Sequence, residues 1–124
     1  ILESHPRPDD ADASLSRRAR TMLHVNCASC HQPGGFANAQ LDLRVQTPLA
    51  ETGLCDSPQR GDLGVANARS VAAGGADRSV LVQRMSRRDD VAMPPVGSNV
   101  PDARAVETVR AWIQALEVCP EGNP

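Results

Sequence analysis

Two thiols and an imidazole stand together at Cys27-Ala28-Ser29-Cys30-His31. Residues i and i+3 share a face on a helical turn, so both sulfurs can reach two vinyl groups on one edge of a porphyrin. The histidine that follows can then turn a ring nitrogen to the iron. This C-x-x-C-H pattern reads as covalent attachment of one c-type haem, with Cys27 and Cys30 as anchors and His31 as proximal ligand. Two other chemistries use thiols at this spacing. A structural zinc site needs four ligands, commonly from a second such pair, yet the chain offers only isolated Cys55, Cys119, His5 and His24. A redox dithiol is expected near a βαβ pattern, which the sequence does not contain.

A haem iron held by His31 takes a second axial ligand, and Met93 in Met93-Pro94-Pro95 suits it. Each proline locks its own φ, and a residue before a proline is pushed towards an extended conformation, so the loop is stiff before any metal binds. A thioether is a weak ligand, and a stiff loop lowers the entropy lost in holding it. Met85 and a histidine are the alternatives. Met85 stands among Leu81 and Arg84 on a helical pattern that suits packing, and Met22 has the same bland role in an earlier helix. Histidine–methionine ligation raises the reduction potential and leaves no open position on the iron, which favours carrying one electron over activating oxygen or peroxide.

Three helical segments must position these groups. Leu15, Ala19, Met22 and Leu23 recur at helical spacing, with Ser14 or Ser16 as N-cap and Arg17, Arg18 and Arg20 on a solvated face. That helix runs into the C-x-x-C-H turn, and Pro33-Gly34-Gly35 ends it while letting backbone pass close to a bulky neighbour. From Phe36 to Ala73 there is no sustained periodicity, so a long loop with one or two short helical turns is expected; wrapping a cofactor is one use for such a loop. After Gly74-Gly75, Asp77 or Ser79 can cap a helix carrying Val80, Leu81, Arg84 and Met85. The last helix is the clearest, with Val106, Val109, Ile113 and Leu116 on one stripe beside Trp112 and Pro101 or Asp102 at its start.

The 124 residues suffice for one domain. Phe36 and Trp112 are the only aromatic residues, so a core of this size is short of large apolar groups, and a buried macrocycle would fill the gap. A formal charge of −2 argues against a nucleic-acid footprint. All thirteen basic residues are arginine, so a partner that docks on a ring of lysines has nothing of that kind to hold. No stretch approaches the roughly 20 apolar residues of a transmembrane helix. Without an initiating methionine or signal peptide, the chain is expected to be a mature form or an excised domain. Residues 1–14 read as a flexible leader or linker, 15–119 as the folded domain and 120–124 as a tail. No carboxylate pair, nucleophile–base arrangement or phosphate loop points to hydrolysis or group transfer.

These residues resemble the class I c-type cytochromes, which are small, all-helical, single-haem electron carriers. The resemblance runs from about Leu15 to Cys119 and is specific at Cys27-x-x-Cys30-His31, at Met93-Pro94-Pro95 and at the terminal helix with Trp112-Ile113. It implies an all-α fold in which the first and last helices cross beside the haem, with Leu15, Met22 and Leu23 packed against Val109, Trp112 and Ile113. A narrower likeness lies in Gly61-Asp62-Leu63-Gly64, Ser79-x-Leu81-x-x-Arg84 and Met93-Pro94-Pro95-x-Gly97-Ser98. These are similar to haem domains of secreted bacterial proteins, several of them fused to quinone-cofactor sugar dehydrogenases or other extracellular oxidoreductases. The chain departs from compact members in its longer central loop and its second cysteine pair.

Haem attachment of this kind occurs outside the cytoplasm, where disulfides persist, and an even remainder of two cysteines suggests a Cys55–Cys119 bond; two buried free thiols are the alternative. Arg84, and Arg69 before it, can pair with a haem propionate through the planar guanidinium, or lie solvated on the surface. The expectation is a monomeric, periplasmic or secreted electron carrier, not itself an enzyme. It would take electrons from an extracytoplasmic dehydrogenase or a fused catalytic domain and pass them on from the ring edge beside the attachment site. A haem-based catalytic or ligand-sensing domain with a labile Met93 is the second reading, and a disulfide-stapled binding module the third.

Overall fold

The structure is a computed structural model that describes residues 5–7, 9–37, 40–94 and 101–120. Among these the chain forms three α-helices and no strands: α1 (Leu15–Cys27), α2 (Val80–Met85) and α3 (Ala103–Ala115). Single 3-10 turns lie at Leu49–Glu51 and Ala76–Arg78. Helix α1 starts where Ser14 Oγ accepts from the Arg17 N–H at 3.1 Å, which satisfies one of the donors that a helix start leaves open. Helix α3 starts in the same way, with Asp102 Oδ1 accepting from the Ala105 N–H at 3.0 Å. Asp77 and Ser79 behave differently. Asp77 belongs to the second 3-10 turn, and Ser79 takes the N-cap position of α2 but makes no side-chain capping bond there. The Ser79 hydroxyl instead donates to the Gly75 carbonyl and accepts from the Ala72 N–H, both at 2.9 Å.

Helices α1 and α3 are in contact. Ala19, Met22 and Leu23 share one core with Val109, Trp112 and Ile113, and Leu15 packs against it. Leu23, Val109 and Ile113 are fully buried, each gaining about 1.5–3 kcal/mol from removal of its side chain from water. The i, i+3, i+4 spacing of these residues creates one apolar stripe per helix, and two stripes in one chain have each other to cover.

Arg20 departs from the expected solvated face. It is buried, and its guanidinium donates to the Arg44 carbonyl at 3.2 Å and the Thr47 carbonyl at 2.5 Å. The physical reason is its place on the helix. Arg20 lies three residues before Leu23 and so borders the apolar stripe, where the central loop folds over it and offers two carbonyls.

The central loop is built from hydrogen bonds between non-repetitive segments. The Asp42 N–H donates to the Thr52 carbonyl, Val71 to Leu54, Ser70 to Asp56 and Leu81 to Ser70. An isolated parallel bridge joins Arg69 and Ser79. The turn at Gly74 is fastened to the end of α3, since the Gly74 N–H donates to the Ile113 carbonyl at 2.9 Å and Gln114 Nε2 donates to the Gly74 carbonyl at 2.8 Å. A Cys55–Cys119 disulfide ties this loop to the chain beyond α3 across 64 residues of sequence.

Closing a loop of that length stabilises the folded chain mainly by restricting the unfolded one. Replacing both Cys55 and Cys119 with serine is expected to lower the unfolding free energy by about 2–4 kcal/mol, read as a lower midpoint in equilibrium denaturation under non-reducing conditions.

Candidate haem attachment site

Helix α1 delivers the thiols. Its last residue is Cys27, and Ala28 caps it by donating its N–H to the His24 carbonyl at 3.2 Å. The chain then turns back on Cys27, whose carbonyl accepts the N–H of Cys30 at 3.2 Å and of His31 at 2.9 Å. Cys27 is half-buried and packs against the core, whereas Cys30 is exposed. Neither is in a disulfide, although the other two cysteines are joined. Burial pushes the Cys27 thiol up to about 11, with Cys30 beside it adding to the shift. A redox-active dithiol relies on the opposite shift, which makes the attacking sulfur a thiolate near neutral pH.

The segment after the motif is held against it. The Leu43 N–H donates to the His31 carbonyl at 2.9 Å, and Ala37 donates to the Cys30 carbonyl at 3.2 Å. Gly35 lies so close that a Cβ there would sit 2.3 Å from the Cys30 oxygen. The glycine thus permits a close approach to the motif's own backbone. Beside it Phe36 is 95% exposed, which leaves Trp112 as the only aromatic ring in the core. Val25, near the end of α1, is also largely exposed.

Three observations bear on whether the residues suit a haem. The two free thiols and the adjacent imidazole form the donor set that attachment requires. The segment bonded to the motif's backbone carries an exposed apolar side chain, Phe36. In the α1–α3 core, Trp112 Nε1 is buried without a hydrogen-bond partner among the described residues, a state that native structures seldom tolerate. The residues fit. Among the described residues no group of three or more histidine, cysteine or acidic side chains gathers to hold a metal ion, so the thiols do not acquire the further ligands of a structural zinc site.

The other residues singled out from the sequence are spread over α1, α2 and the loops. Met22 and Met85 belong to the core cluster. Met93 is half-buried, lies outside that cluster and follows α2, where its N–H donates to the Arg84 carbonyl at 2.9 Å. Its bond to Pro94 is cis. Pro95, Gly97 and Ser98 lie outside the described residues. The Arg84 guanidinium donates to the Val91 carbonyl at 3.0 Å and the Arg60 carbonyl at 3.1 Å. Arg69 donates to Ser57 Oγ. His24 accepts the Val45 N–H on Nδ1 at 3.0 Å, and its ring centroid is 5.4 Å from that of His5. These two histidines border an open cleft of about 410 Å³ with Ala28, Ser29 and Gln32.

One cluster was invisible in the sequence. Asp42 takes two hydrogen bonds from the Arg44 guanidinium, at 2.8 and 2.7 Å, and one from the Thr47 hydroxyl at 2.9 Å. Their bonds, those to Arg44 first, hold the Asp42 carboxyl well below the usual carboxylate range, although partial burial opposes them. The same segment supplies the carbonyls for Arg20, whose own affinity for its proton is lowered by burial and partly restored by Asp42. In the sequence, Leu41-Asp42-Leu43-Arg44-Val45 alternates like a short strand but sits among turn signals that make it loop, and nothing in the pattern marks this staple.

A comparison with protein-family models, curated proteins and solved structures finds no match to this chain. Among the described residues, no helix is long and apolar enough to cross a membrane.

Two outcomes follow from this geometry. Gly35→Ala forces the loop off the Cys30 carbonyl and is expected to lower the melting temperature measured against wild type. Asp42 ionises more easily folded than unfolded, so its stabilisation is complete above the unfolded value of about 3.9 and fades as pH falls through and below it. Urea unfolding between pH 7 and pH 3 should therefore show an acid loss of stability that is shallower in Asp42→Asn.

Proposed function

We propose that this chain is a monohaem c-type cytochrome domain that transfers single electrons outside the cytoplasm. The observation that carries the reading is the C-x-x-C-H turn at the exit of α1, with both thiols free while Cys55 and Cys119 are joined. Cys27 and Cys30 would hold the group, each S–H adding across one of its two vinyl groups with nothing released. When bound, haem supplies a one-electron iron couple.

Each residue has a distinct part. His31 ligates the iron through its imidazole, on a backbone fixed by its bonds to Cys27 and Leu43. Met93 would give its thioether sulfur to the iron as the second ligand, a role supported by its place outside the core that holds Met22 and Met85. Arg84 and Arg69 are the candidates to pair with a propionate, which a planar guanidinium recognises through two parallel hydrogen bonds. The contact of α1 with α3 supports a cytochrome c-like arrangement of terminal helices. The disulfide supports a periplasmic or secreted location. The electron donor is an extracytoplasmic dehydrogenase or a catalytic domain fused to this one.

The test is spectroscopic and chemical. Protein matured with a cytochrome c assembly system is expected to give a sharp c-type α-band on reduction and to keep its haem through acid–acetone extraction. Cys27→Ala/Cys30→Ala should release any haem it binds. Haem that leaves the wild-type protein on extraction, or a colourless protein, overturns the proposal. Rapid stoichiometric binding of carbon monoxide by the reduced wild type would favour the catalytic or sensing reading.

A further inference from the structure

Pro94 restricts the chain on only one side of Met93. On the other side stand Val91 and Ala92, which add no stiffness of their own, and α2 is only six residues long. The structure supplies the missing restraint through two arginines. The Arg84 carbonyl accepts the Met93 N–H at 2.9 Å. The Arg84 side chain then reaches forward and donates to the Val91 carbonyl at 3.0 Å. Its other terminal nitrogen reaches the Arg60 carbonyl at 3.1 Å, in the distant central loop. Arg88 donates to the Met93 carbonyl at 3.3 Å. The Met93 N–H is thus held by the main chain of residue 84 and its carbonyl by the Arg88 side chain, while the Arg84 side chain ties the loop at Val91 to the segment around Arg60. A turn at Asp89, whose carbonyl accepts the Ala92 N–H at 3.1 Å, shapes the chain between the two anchor points.

We propose that Arg84, assisted by Arg88, is the positioning residue that keeps the Met93 thioether in place as an iron ligand. This rests on the reading of Met93 as that ligand. A thioether binds weakly, so its occupancy depends on how little freedom the loop has when the sulfur is off the metal. Hydrogen bonds from a charged donor are stronger than neutral ones, and a planar guanidinium can serve carbonyls in two separate segments at once. A lysine at position 84 offers a single point charge and can replace one of the two bonds. Arg84 therefore acts through Met93 and touches no reacting atom.

The experiment uses the ferric, haem-loaded protein and compares wild type with Arg84→Gln, Arg84→Lys, Met93→Ala and Arg110→Gln. Arg110 pairs with exposed Asp77 on the surface and serves as a control for the loss of an arginine. Two quantities are read: the sulfur-to-iron charge-transfer band and the affinity for added imidazole. Loss of two charge-assisted bonds is expected to raise imidazole affinity about tenfold or more in Arg84→Gln, with a weakened band. Arg84→Lys should fall between Gln and wild type, Met93→Ala should mark the limit, and Arg110→Gln should match wild type.

An Arg84→Gln protein with an intact band and imidazole affinity within twofold of wild type overturns the proposal while leaving Met93 as ligand. An equal increase in Arg110→Gln overturns it too, since the effect would then be general loosening. If wild type lacks the band and Met93→Ala has the same spectrum, the ligand assignment itself fails. Should Arg84→Gln not fold, Arg84→Lys decides on the same two readings.

Discussion

The contact between α1 and α3 is the constraint on which the other features depend. One apolar stripe carries Ala19, Met22 and Leu23, the other carries Val109, Trp112 and Ile113, and each covers the other. The C-x-x-C-H motif begins at the last residue of α1, so the orientation of that helix sets where the thiols leave the fold. The far end of α3 holds the Gly74 turn and leads to Cys119, so it also sets where the central loop is tied down. One tryptophan is the only aromatic side chain of that core, which is otherwise aliphatic, with Leu43, Leu54, Val71 and Val82 beside the two stripes.

Arginine does the work that regular secondary structure does elsewhere. Arg20 reaches from α1 to two carbonyls of the central loop, Arg44 clasps Asp42, and Arg84 and Arg88 hold the Met93 segment. A guanidinium spreads several donors over a rigid plane and can satisfy carbonyls that no strand or helix pairs. A chain with thirteen arginines and no lysine is well supplied for such bracing. The loops are consequently held at many separate points, with the disulfide adding one covalent tie.

Legibility in the sequence followed the range of each interaction. Helices α1 and α3 were readable because their stripes and their caps, Ser14 and Asp102, are local patterns within a few residues. The C-x-x-C-H pattern is local in the same way. The solvated face assigned to Arg20 was a misreading, since its acceptors lie 24 and 27 residues away and leave no trace in the helix itself. Asp77 and Ser79 are good capping residues by type, yet Ser79 turns its hydroxyl to Gly75 and Ala72 because burial gives those partners more value than an exposed cap.

By itself the sequence determined the donor set, two thiols and an imidazole in five residues, the two long helices, and the remaining cysteine pair available for a bond. Covalent connectivity and periodicity suffice for these, because they act over less than two helical turns or by simple count. Only the tertiary structure decided what the arginines hold. It set Arg84 and Arg88 on the backbone around Met93, buried Arg20 under the central loop and pressed Gly35 against the carbonyl of Cys30. A backbone carbonyl is the same in every residue, so the sequence carries no mark of which one a distant guanidinium will meet.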